Sequence, residues 1–110
     1  MKIENVPFTI IDWRKAAPVE HKGDSGTSIW QTIEKGNIRM RMIQYSPGFK
    51  SDHYCERGHI ALVLEGELLI KLKNGSEHKL QSGNSFQTAD DVENPHLVWS
   101  DIGAKVFIVD

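Results

Sequence analysis

Apolar and polar residues alternate at every second position along much of this chain, and Gly, Pro and Asn interrupt the alternation at short intervals. That combination predicts short antiparallel strands. Thr27 to Ile33, TSIWQTI, and Ile38 to Tyr45, IRMRMIQY, flank the turn EKGN like the arms of a hairpin. The second arm sets Ile38, Met40 and Met42 against Arg39 and Arg41, the alternation of a half-buried strand. His59 to Leu64 and Gly66 to Lys73 read as two further strands divided by Gly66, with Leu68, Ile70 and Leu72 on one face of the second. Asn74-Gly75 then predicts a type I′ reversal, whose two central residues both need positive φ. HKLQ, FQTA, HLVWS and KVFIVD follow, separated by SGNS, the polar loop DDVEN and DIGA. No segment after Thr27 carries a helical period. Roughly eight strands with a turn signal about every ten residues predict an all-β sandwich or small barrel.

Length changes the picture only by limiting it to one core, since 110 residues divided in two would leave each half too little apolar surface to bury. Residues 27–110 are expected to form the barrel and residues 1–26 an N-terminal arm. Within the arm, IDWRKAAPVEHKGDSG is broken by Pro18 and reads as an irregular stretch or a short helical turn, with no function assigned. Apolar residues at 39% and charged residues at 25% argue against both a disordered chain and a membrane span. A net charge of -2, with Lys and Arg scattered, offers no field for nucleic acid. The opening MKIENVPFTIID is too short and polar for a signal peptide's apolar region, so a cytoplasmic location is expected. The single Cys55 has no partner for an internal disulfide, which agrees with a reducing compartment.

Candidate chemistry concentrates in SDHYCERGHIALVLEGEL, where His53, Cys55 and His59 precede an apolar run ending at Gly66. In an extended segment residues 53 and 55 share a face, as do 59, 61 and 63, so all three side chains can face one interior if the ERG bend preserves the facing. Each also has a plainer reading. Cys55 is by default a small buried apolar residue, His53 and His59 can be satisfied core or surface histidines, and Asp52 can be a turn residue. His21 and His78 lie in polar contexts and read as solvated. No carboxylate pair, Gly-rich phosphate loop or nucleophile motif stands out.

From about Asn37 to Val109 the chain resembles the cupins, whose fold is a double-sheet jelly roll. The first cupin motif runs Gly, five residues, His-x-His, three or four residues, Glu, six residues, Gly. The matching positions here are Gly48, four residues, His53-x-Cys55, three residues, His59, six residues and Gly66. Cys55 thus stands for a His and His59 for the Glu. The second motif is represented by Gly83 and by His96, two positions late after a rebuilt loop, with Ser100 where its Asn would fall. Asp52-His53-x-Cys55 together with Trp99 further resembles the small uncharacterised bacterial group of DHCW-motif cupins. The resemblance implies an all-β, small single-domain cupin, a double-stranded β-helix or jelly-roll barrel. It also implies His53, Cys55, His59 and His96 as metal ligands, with Asp52 and Trp99 in the same constellation, and it brings no substrate.

That donor set favours Zn, Fe or Ni over Mg or Ca. Four protein donors would close a tetrahedral site, whereas three histidines without Cys55 would leave a position for water or substrate. Three functions are therefore in view: a metal-dependent enzyme acting on a small polar substrate, a non-enzymatic metal or small-ligand binding or sensor module, and a metal-free cupin with a reactive thiol at Cys55. The expected partners are a small-molecule ligand or substrate and a second subunit in a homodimer, through IRMRMI or KVFIVD as an edge, with neither nucleic acid nor membrane.

Overall fold

One strand joins the two halves of this molecule, described here for residues 2–110 from a computed structural model. Strand β5, His59–Leu72, runs through both sheets. Its first half pairs with β7 (Ser85–Thr88) on one side and β9 (Ala104–Val109) on the other. The same sheet continues outward from β9 through β3 (Ile38–Tyr45) and β2 (Thr27–Lys35) to β1 (Val19–Lys22). The second half of β5 lies between β6 (Glu77–Gln81) and β8 (His96–Ser100), and β8 carries the two-residue β4 (Phe49–Lys50). The result is an all-β curled sheet with one 3-10 turn at Trp13–Lys15.

The two strands expected around Gly66 are thus a single bent strand. A register shift against β9 between Val63 and Glu65 marks a bulge, and a bulge adds one residue to one side of the ladder. Side-chain parity changes there as a consequence. His59, Ala61 and Val63 are buried before the bulge, Leu68 and Ile70 after it, and so both halves turn their apolar residues toward one core. Gly66 sits at the bend with φ +75°. A β-carbon on it would meet the Gly103 carbonyl oxygen at 2.1 Å, so glycine is required by space as well as by conformation.

Two further expectations change. The alternation in β3 is real, but its inward face carries Arg41, Ile43 and Tyr45, while Met40 and Met42 are half-buried on the other side. An arginine can face inward only where its charge finds an acceptor, and here the acceptor, shared with Arg39, follows the end of another strand. At Lys73–Gly75 the chain reverses, but only Gly75 has positive φ, at +97°. Gly75 N–H donates to the Leu72 carbonyl and Leu72 N–H to the Ser76 carbonyl, a three-residue loop with glycine in the left-handed position instead of a type I′ turn. The Asn74 side chain instead accepts from the Ser76 N–H and hydroxyl. From the N-terminal arm, β1 adds an edge to the larger sheet, where the exposed His21 lies against Trp30 with ring centroids 4.3 Å apart.

The core is formed by Ile43, Tyr45, Phe49, Ala61, Val63, Leu68, Ile70, Leu80, Ala104, Val106 and Ile108, drawn from both sheets. Above it, between the sheets, lies a cavity of about 270 Å³.

Candidate metal centre in the barrel mouth

Cys55, His59 and His96 meet on the wall of this cavity, their donor atoms all within 4.8 Å of one another. Backbone pairing explains the meeting. Cys55 and His96 oppose each other in an isolated antiparallel bridge, with Cys55 N–H donating to the His96 carbonyl at 2.6 Å and His96 N–H to the Cys55 carbonyl at 2.9 Å. Directly opposed residues project from the same side, so thiol and imidazole share a face. His59 arrives from the start of β5 on the face of Ala61 and Val63. Between Cys55 and His59 the chain bends at Arg57, the next residue Gly58 donates its N–H to Asp90 at 2.6 Å, and Asp91 N–H donates to the Glu56 carbonyl. The polar loop before His96 therefore fastens the bend that carries the other two donors.

His59 and His96 are 8% and 5% exposed, and their rings meet edge to face at 5.0 Å. Burial pushes the His59 imidazole down to about 4, with Asp110 opposing and His96 and Arg41 reinforcing the fall. Burial lowers His96 as well. Both rings are thus neutral near pH 7, the state in which imidazole has a lone pair to give a metal.

Asp110 is the residue that sequence reasoning missed. Continuing the β3–β9 and β5–β9 registers by one pair sets it between Arg39 and His59, which explains the cluster. Its carboxylate, 2% exposed, accepts from Arg39 Nε at 2.9 Å, Arg39 Nη2 at 3.0 Å and Arg41 Nη2 at 3.0 Å. Burial alone would raise its pKa, but the Arg39 hydrogen bonds and the charges of Arg41, Arg39 and His59 hold it down at about 2. Asp110 Oδ2 also lies 2.7 Å from His59 Nδ1, a short contact off the axis of a well-formed hydrogen bond, so Nδ1 has no aligned partner. A carboxylate can only accept, which favours the proton on Nδ1 and leaves the Nε2 lone pair facing Cys55 Sγ, 3.5 Å away. Nothing in the sequence signals this role, because it depends on which strands become neighbours.

The other sequence-derived candidates occupy different places. His53 lines the same cavity but lies outside the close group, largely exposed, with Nδ1 2.6 Å from Asp52 Oδ1. That contact leaves its Nε2 unengaged. Trp99 is half-buried on the face of β8 opposite His96 and Val98, and does not line the cavity. Ser100, fully buried, donates its hydroxyl to the Glu67 carbonyl at 2.6 Å.

The donor set suits a transition ion. Ligand bonds of about 2.0–2.3 Å around a tetrahedral metal separate neighbouring donors by about 3.3–3.8 Å. The 3.5 Å between Cys55 Sγ and His59 Nε2 falls inside that range.

No family model matches the chain, and no curated protein matches it in sequence. Solved structures do match. A sugar phosphate isomerase from a cupin superfamily, from Silicibacter pomeroyi, superposes with a TM-score of 0.72 at 18% identity, covering 92% of this chain and 74% of the other. A predicted oxalate decarboxylase from Thermotoga maritima gives 0.74 at 14% identity, over 92% of this chain and 96% of the other. Fe(II)-HppE with an alternative substrate gives 0.75 at 14% identity, over 99% of this chain and 62% of that longer one. The chain has the cupin fold. Among the described residues of this chain, no helix is long and apolar enough to cross a membrane.

Proposed function

We propose that this cupin-fold chain holds a divalent transition metal, Zn, Fe or Ni, through Cys55, His59 and His96, and uses the site to engage a small polar molecule in the cavity. The observation that carries this reading is the convergence of three soft or borderline donors, two of them buried neutral imidazoles, on the wall of a cavity open at the barrel mouth. His53 is the fourth ligand in this reading, with Asp52 orienting its ring through Nδ1. An ion there would supply Lewis-acid chemistry, activating water or dioxygen or polarising a carbonyl. The chain's own part is to keep the imidazoles neutral, to fix the His59 tautomer through Asp110 and to shield the site with Phe86, whose ring meets that of His96 at 5.7 Å. The iron in HppE supports a metal role for this fold. A DHCW-type subgroup, a cytoplasmic location and a homodimer belong to the same proposal.

Elemental analysis of tag-free protein tests it. Near-stoichiometric Zn, Fe or Ni is expected in the wild type and is lost in His59→Ala and His96→Ala, while Cys55→Ser and His53→Ala report whether each completes the shell. A wild type that carries no metal and takes none up on incubation refutes the proposal.

A further inference from the structure

Arg41 is 4% exposed and lines the cavity that contains the Cys55, His59 and His96 group. Its guanidinium stacks on Trp30, with Cζ 4.7 Å from the ring centroid, and its Nη2 donates to Asp110. Its Nε–H is buried and has no partner among the described residues. A buried donor without an acceptor costs the full desolvation of that group, and here the group is charged. The charge around it does not balance either. Arg39 grips both oxygens of Asp110 and already matches that single carboxylate, the more exposed Arg57 lies 3.5 Å from it as well, and buried Arg41 is therefore left with its own positive charge unmatched. No Asp or Glu is among the described residues that line the cavity. Two hydroxyl residues line the same cavity, the buried Tyr45 and Ser28, whose oxygen accepts from Trp30 Nε1 and keeps its own proton to donate.

From this geometry we infer that the cavity has an anion subsite at Arg41, built for the carboxylate group of a small molecule. One free N–H and one surplus charge suit a monoanion, in a cavity also lined by these two hydroxyl residues and the Trp30 ring. The inference deepens the proposed function by naming the class of ligand, and it places the anion and the metal group in one cavity. The subsite itself belongs to the protein chain and exists without metal.

The test uses metal-free, chelator-treated protein, so that failure of the metal reading and failure of this one are separate results. The chain has four arginines, so the Nε–H resonances of 15N-labelled protein are few enough to assign. Acetate and malonate are titrated against wild type, with inorganic phosphate as a third probe. A saturable shift of the Arg41 Nε–H on adding acetate or malonate is expected, accompanied by a change in Trp30 fluorescence. Arg41→Lys retains the charge beside Asp110 but lacks the Nε donor, and should bind either carboxylate about tenfold more weakly or worse. An Arg41 Nε–H that does not respond to either carboxylate overturns the inference, and the wild-type spectrum gives that answer even if the variant misfolds. Unchanged carboxylate affinity in a folded Arg41→Lys overturns it as well, and preferential binding of phosphate overturns the carboxylate assignment.

Discussion

Acidifying the metal-free protein from pH 7 to pH 4 should remove a sizeable part of its stability through His59. The imidazole has an ordinary value of 6.5 and is held at about 4 in the folded chain, chiefly because burial penalises the charged ring. A fall of that size corresponds to about 3 kcal/mol, at about 1.4 kcal/mol per pH unit. Between these two values the unfolded chain binds a proton that the folded chain refuses, so stability rises with pH across this window. The contribution is complete above pH 6.5 and disappears as pH falls through 4. His96, lowered by burial in the same direction, steepens the profile. Urea unfolding in a chelating buffer, at half-unit steps from pH 7 to 4, measures the effect. With a slope of about 1–3 kcal/mol per molar urea for a small domain, the midpoint should fall by about 1–3 M. His59→Gln, which cannot take up the proton, should flatten the profile over the same window. A midpoint that does not change from pH 6.5 to 4, or a His59→Gln profile as steep as the wild type, would refute the burial argument.

Two substitutions test the framework around the site. Asp110→Asn removes the carboxylate that Arg39 and buried Arg41 share and should cost about 3–5 kcal/mol in urea unfolding, together with about 10–100-fold in metal affinity through the freed His59 ring. An Asn variant as stable as the wild type would show that the cluster is compensated elsewhere. Gly66→Ala puts a β-carbon at positive φ and into the Gly103 carbonyl, so a loss of at least about 1–2 kcal/mol is expected. Thermal melting reads that change, and an unshifted midpoint would mean that the bend relaxes freely.

Pattern alone determined the all-β class, the places of most strands and the turns between them, because period-2 alternation and glycine conformations are local properties of a chain. His59 and His96 were legible as candidates in the same way, through spacing and through the resemblance that spacing supports. Facing was not legible. The alternation in IRMRMI is equally compatible with methionines inward or arginines inward, and the choice depends on Asp110, 69 residues from Arg41. The continuity of β5 was hidden as well, since a bulge that changes parity looks, in one dimension, like two strands with a glycine between them. Only strand pairing set Cys55 opposite His96, gave His59 its carboxylate and set Arg41 on the cavity wall with a buried N–H that no described residue accepts. Local chemistry is written residue by residue, whereas charge compensation is a sum over neighbours that exist only once the sheet has closed.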